Sequence, residues 1–112
     1  MQLSIIVLNY NTYDLTCKCL ESIVSSVVDI SYEVILVDNA SVECPPQLFK
    51  DKFPLIQLLS LPVNLGFAGG NNAGLTVATG DVILLLNSDT EILGRAINKG
   101  PSLKLLFARR QS

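Results

Sequence analysis

Amide and carboxyl side chains gather at four places in this sequence, each time just beyond an apolar run. Asn9 and Asn11 follow Ser4–Leu8, Asp38 and Asn39 follow Glu33–Val37, Asn64 follows Leu55–Leu61, and Asn87 and Asp89 follow Val82–Leu86. Asn and Asp are ordinary turn formers, so a single instance carries little. Four at matching positions point to a polar ligand site. Asp89 has two readings. It can cap a helix N-terminus, or, with a buried run before it limiting hydration, it can hold a cation. The chain has no histidine, and oxygen-only surroundings suit Mg2+ or Mn2+ shared with phosphates. Asp38 is likewise either a turn cap or an acceptor carboxylate for a base or ribose.

The elements that would position these groups follow from the runs themselves. Val82–Leu86 is unbroken and apolar, as expected of a strand buried on both faces of a parallel sheet. In such sheets ligands sit beyond the carboxyl ends of the strands. Ser4–Leu8 and Glu33–Val37 read the same way, and Leu55–Leu61 is interrupted by Gln57. Asn11 or Thr12 can cap a helix whose Leu15, Cys19, Leu20, Ile23, Val24 and Val27 form one inward stripe. Cys44–Phe53 reads as a short helix with Pro45 and Pro46 in its first turn. Pro62–Gly70 reads as loop. Gly69–Thr79 reads as a small-residue helix, with Ala73, Val77 and Ala78 inward and Gly80 closing it as a left-handed cap. The alternation predicts an α/β fold, a Rossmann-like mostly parallel sheet with flanking helices. That arrangement brings all four polar strand ends to one rim.

Composition bounds the possibilities. The chain has 112 residues, 49% apolar and 16% charged, a composition of one globular domain or part of one rather than of a disordered chain. A net charge of −2 gives no reason to expect a nucleic-acid partner. No apolar run approaches a membrane span, and Leu3–Leu8 lacks the basic flank of a signal sequence. The three cysteines read as reduced, packed thiols. A cytoplasmic chain is expected, with attachment to the inner face of the membrane through an acceptor or partner left open. Charge is uneven: ten acids and three bases lie up to Glu91, and five bases with no acid lie after it. Residues 1–93 therefore read as one unit, and 94–112 as a basic tail with an uncertain helix.

Two nearby motifs bear on these residues. Asn64–Gly74 is glycine-rich and runs into a helix, where backbone N–H groups can hold an anion; a tight turn explains the glycines equally well. It is not a dinucleotide fingerprint, which belongs in the first strand–helix turn. Leu86–Thr90 comes near the D-x-D-x-T signature of aspartyl-phosphate phosphatases. Asn87 stands at the nucleophile position, and an amide cannot form the acyl-phosphate.

Four stretches, in order and spacing, resemble the N-terminal half of family 2 glycosyltransferases, inverting enzymes of the GT-A fold. They are Ser4–Thr12, Val37–Ser41, Asn64–Phe67 with Asn71–Gly74, and Gly80–Asp89. The resemblance covers Leu3 to about Leu93. It implies a nucleotide-sugar donor, Mn2+ or Mg2+ on the diphosphate, and a glycan, lipid-linked or small-molecule acceptor. It implies that Asp38 contacts the base or ribose, alongside Asn9, Asn11, Asn64, Gly66 and Asn71. Asp89 would be the main metal ligand, with Asn87 in place of the family's first aspartate. The implied reaction is direct displacement at the anomeric carbon, with a carboxylate base deprotonating the acceptor hydroxyl. In the family that base lies well beyond the metal motif, and after Glu91 this chain has no Asp, Glu or His. The expectation is a truncated chain that binds donor without efficient transfer. Truncation would leave Val82–Leu86 as an exposed sheet edge and favour self-association. The alternative is a non-catalytic binding or interaction module of the same fold, its tail (Leu103, Leu105, Leu106, Phe107 among cations) resting on an anionic membrane or a partner.

Overall fold

The computed structural model describes residues 2–26, 30–86, 88 and 105–109. The element order is β1 (Gln2–Asn9), α1 (Tyr13–Ser26), β2 (Ser31–Asp38), α2 (Gln47–Lys52), β3 (Gln57–Ser60), α3 (Gly66–Val77), β4 (Val82–Leu86) and β5 (Leu105–Arg109). The strands form one sheet in the order β3-β2-β1-β4-β5. The first four are parallel, and β5 pairs antiparallel with β4. Reversal of strand order beside β1 makes a switch point, where such sheets open a crevice at their carboxyl ends.

The two-residue period of a strand sends its side chains to opposite faces. Leu3, Ile5 and Val7 pack with Val34, Leu36, Val82, Leu84 and Leu86 on the face covered by α1 and α2. Ile6 joins Ile35, Val37 and Ile83 on the other, under α3. Phe49 anchors α2, fully buried with its ring 4.8 Å from that of Tyr13. Helix α3 lies close to the sheet because it is made of small residues: a Cβ at Gly74 would stand 2.8 Å from Ile6 Cγ2. At the starting end of the strands, Ser4 Oγ donates to Glu33 Oε2 at 2.5 Å, and the same oxygen accepts from Thr79 N at 2.7 Å.

Several expectations are corrected here. The α1 stripe is Thr16, Cys19, Leu20 and Ile23, with Cys17 beside it, whereas Leu15 and Val24 are 46% and 59% exposed; Val27 lies outside the described residues. Helix α3 begins at Gly66, three residues before the expected start, and Pro62–Leu65 alone remains loop. Gly80 is no left-handed cap. The helix ends at Val77 with Ala78 as its cap, and Gly80 is glycine because a Cβ there would stand 2.7 Å from Ser4 N and 2.9 Å from Gln2 O. Nor is β4 an edge: Leu105–Arg109, placed in the tail where a helix was expected, pairs with its whole length. A short apolar run reads equally well as helix or strand, and unpaired β4 backbone decides in favour of the strand. The association surface expected at β4 is therefore occupied. Among the described residues no helix is long and apolar enough to cross a membrane.

Candidate functional site

Parallel pairing does place the polar strand ends together. Asn9 and Asp38 are register partners across β1 and β2, and Asp38 is paired in turn with Ser60 on β3. Both side chains are buried, each 1% exposed. The Asn9 amide donates to Asp38 Oδ1 at 2.8 Å and to Ser41 Oγ at 3.1 Å. Its carbonyl oxygen accepts from Thr16 Oγ1 at 2.8 Å and Thr12 Oγ1 at 3.0 Å, at the opening of α1. Asp38 Oδ2 accepts from Ser41 N at 3.1 Å, an Asx-type turn at the end of β2.

Asn11 braces the neighbouring loop. It adopts a left-handed conformation at φ 53°, and its side-chain oxygen accepts from Val42 N and Glu43 N at 2.9 and 3.2 Å. Ala40 is left-handed as well, at φ 65°, a conformation that costs a residue with a Cβ about 1–2 kcal/mol. Glu43 Oε1 in turn accepts from Tyr13 N, so a carboxylate occupies the positive end of α1. Partial burial raises the Cys44 thiol pKa, and the Glu43 and Asp38 carboxylates raise it further. A hydrogen bond with Cys17 does the same for the Tyr13 phenol, ahead of its burial.

The other wall comes from Asn39 and the entry to α3. Asn39 grips that turn from both sides, accepting from Leu65 N at 2.9 Å and donating to Gly66 O at 3.0 Å. Asn64 Oδ1 accepts from Gly66 N at 2.8 Å, and Gly66 at φ 76° turns the chain into the helix. Between the two walls lies a cleft of about 390 Å³, lined by Leu8, Asn9, Tyr10, Thr12, Asn39, Asn64, Gly66, Phe67 and Ser88. Tyr10 and Phe67 are half exposed beside it. Ser88 Oγ lies 3.4 Å from Thr12 Oγ1, which ties the end of β4 to the start of α1.

Of the expected site residues, the structure brings Asn9, Asn64 and Gly66 to the cleft. Asp38, at the end of β2, and Asn11, in the turn between β1 and α1, do not line it. Asn71 is 5% exposed on α3, one helical turn beyond cleft-lining Phe67, and its amide nitrogen has no partner among the described residues. Asn87 and Asp89, the expected metal ligands, lie outside the described residues; Ser88 between them in sequence is on the cleft. The donors that the described rim supplies are amide and hydroxyl oxygens, hard ligands compatible with Mg2+ or Mn2+ beside phosphates. Residue-by-residue reading placed Asn39 among the polar strand ends but missed Tyr10, Thr12, Ser41 and Phe67 as parts of the site. Their signal was adjacency: each lies within three residues of a strand-end Asn or Asp.

The model of the family described as glycosyl transferase family 2 matches residues 4–100. Poly(ribitol-phosphate) beta-glucosyltransferase of Bacillus spizizenii is 31% identical over 102 residues, covering 87% of this chain and 16% of that protein. Succinoglycan biosynthesis protein ExoO of Rhizobium meliloti is 32% identical over 88 residues, covering 78% and 25%. The chain thus spans a minor part of these relatives. Among solved structures, S. aureus TarS 1-349 in complex with UDP-GlcNAc superposes with a TM-score of 0.73 at 26% identity, covering 88% of this chain and 29% of that one. The mannosyltransferase PcManGT of Pyrobaculum calidifontis, in complex with GDP-Man and Mn2+, gives 0.70 at 26% identity, covering 83% and 29%. A mostly parallel sheet shared with GT-A enzymes, and a family match over nearly the whole length, lead to one conclusion: the chain belongs to glycosyl transferase family 2.

Proposed function

We propose that this chain is the donor-binding part of a metal-dependent glycosyltransferase, which moves a sugar from a nucleotide-sugar to a hydroxyl of a glycan, lipid-linked or small-molecule acceptor in the cytoplasm. The observation that carries the reading is the cleft at the carboxyl rim of β1 and β2. Its volume of about 390 Å³ suits a small polar ligand, and matching folds carry UDP-GlcNAc and GDP-Man. Tyr10 and Phe67 offer rings to a planar base or a sugar face. Asn64 and Gly66 set the wall at the start of α3, where the helix end favours the negative diphosphate. Each Asp38 oxygen accepts one hydrogen bond among the described residues and retains acceptor capacity for a base or ribose donor.

Asp89 with Asn87 would hold Mn2+ or Mg2+. When bound, the ion offsets charge on the departing diphosphate. With no Asp, Glu or His after Glu91 to take the acceptor proton, these 112 residues bind donor without efficient transfer. Incubation with UDP- and GDP-sugars tests this: binding with no acceptor-dependent release of nucleoside diphosphate is expected. Acceptor-dependent turnover would show that a base is present in the chain, and no binding of either donor would defeat the donor-site reading.

A further inference from the structure

Asn9 was expected among the nucleotide contacts, yet its side chain has nothing left to offer a ligand. A primary amide carries two donor hydrogens and an oxygen with two lone pairs. Both hydrogens are used, one on Asp38 Oδ1 and one on Ser41 Oγ. The oxygen accepts from the Thr12 and Thr16 hydroxyls, with Thr12 N at 3.4 Å beside them. The orientation follows from the other side: the Thr12 backbone N–H can only donate, so the amide oxygen faces α1 and the nitrogen faces Asp38. The group is also 1% exposed.

We infer that Asn9 touches no donor atom and is the positioning residue that sets the orientation of the Asp38 carboxylate, and through it the discrimination between nucleoside bases. This rests on the reading that Asp38 meets the nucleoside. The relay runs in one direction, from the α1 hydroxyls to the Asn9 oxygen and from the Asn9 nitrogen to Asp38. Helix α1 and strand β2 are thereby locked together behind the cleft. Loss of the amide frees Asp38 to rotate and leaves Oδ1 without the one donor it has among the described residues. The α3 wall is held separately: Asn39 bonds Leu65 N and Gly66 O, and Asn64 accepts from Gly66 N.

The test compares dissociation constants of UDP, GDP and ADP, and of inorganic pyrophosphate, each with Mn2+, for the whole chain and its variants. The unaltered chain is expected to favour one base by tenfold or more. Asp38→Ala should flatten that preference while leaving pyrophosphate affinity within twofold. Asn9→Ala should flatten it to the same degree, again sparing pyrophosphate, and the double variant should be no worse than either single one. Thr16→Val, which removes a single relay donor from a shape-matched site, should reduce the preference part way and keeps the test open if Asn9→Ala does not fold. Retained discrimination in Asn9→Ala and Thr16→Val, with loss in Asp38→Ala, overturns the inference and leaves the donor-site reading standing. Equal loss of all four ligands in Asn9→Ala overturns it too, since that marks a merely structural role. Retained discrimination in Asp38→Ala, or none in the unaltered chain, removes the Asp38 reading and the inference with it.

Discussion

Replacement of Gly80 separates two physical explanations for one residue. Were it a left-handed helix cap, asparagine would serve nearly as well, because Asn tolerates that conformation and alanine does not. The structure gives the other explanation. A Cβ there would stand 2.6 Å from Ser4 Oγ, 2.7 Å from Ser4 N and 2.9 Å from Gln2 O. Two of those atoms are backbone of β1 and cannot swing aside. The same spot is closed by Gly80 N donating to Ser4 Oγ at 2.8 Å and Asp81 N donating to Gln2 O at 2.9 Å. Overpacking of this kind costs about 1–3 kcal/mol, and loss of one of these two hydrogen bonds adds about 1 kcal/mol. Gly80→Ala is therefore expected to destabilise by about 2–4 kcal/mol, a fall in Tm on the order of 10 °C for a domain of this size. Gly80→Asn, being larger, should be worse. Urea and thermal melts of the three proteins decide the matter. Asparagine tolerated better than alanine would refute the close-approach explanation.

Further outcomes follow from the cleft and its loops. Asn39→Ala should cost about 1–3 kcal/mol in urea melts, because it orphans Leu65 N and Gly66 O. Asn39→Asp should cost more, since it sets a buried charge against the Gly66 carbonyl; an Asp variant as stable as the unaltered protein would contradict the grip described. With its pKa raised by burial and by the Glu43 and Asp38 carboxylates, Cys44 holds less thiolate at a given pH than a free thiol. It should react with a disulfide reagent at pH 8 several-fold more slowly in the folded chain than in urea, and equal rates would refute that.

Much of this architecture was legible because buried parallel strands announce themselves. Val82–Leu86 and the run around Ile5 have no polar alternation, and their ends carry the Asn and Asp residues that the sheet brings to one rim. What was not legible depended on tertiary contact. The start of α3 hid among glycines because Asn64 and Asn39 hold it from outside the helix, a signal absent from the glycine pattern itself. Periodicity points Leu15 inward, yet Thr16 takes the inward place, where its hydroxyl donates to Asn9. The role of Gly80 depended on how close β1 passes, and β5 on an apolar tail finding an open edge. Counting hydrogen bonds, rather than residue type, separates Asn9 as a brace from Asn64 as a wall.

The most direct measurement is calorimetric titration of UDP and of GDP into the chain, with and without Mn2+, for the unaltered protein and for Asp89→Ala. Saturable binding of one nucleotide that strengthens at least tenfold with Mn2+, and loses that gain in Asp89→Ala, is the result expected of a diphosphate held by a metal at the end of β4. Failure of either nucleotide to bind, or binding indifferent to both Mn2+ and Asp89, would contradict it.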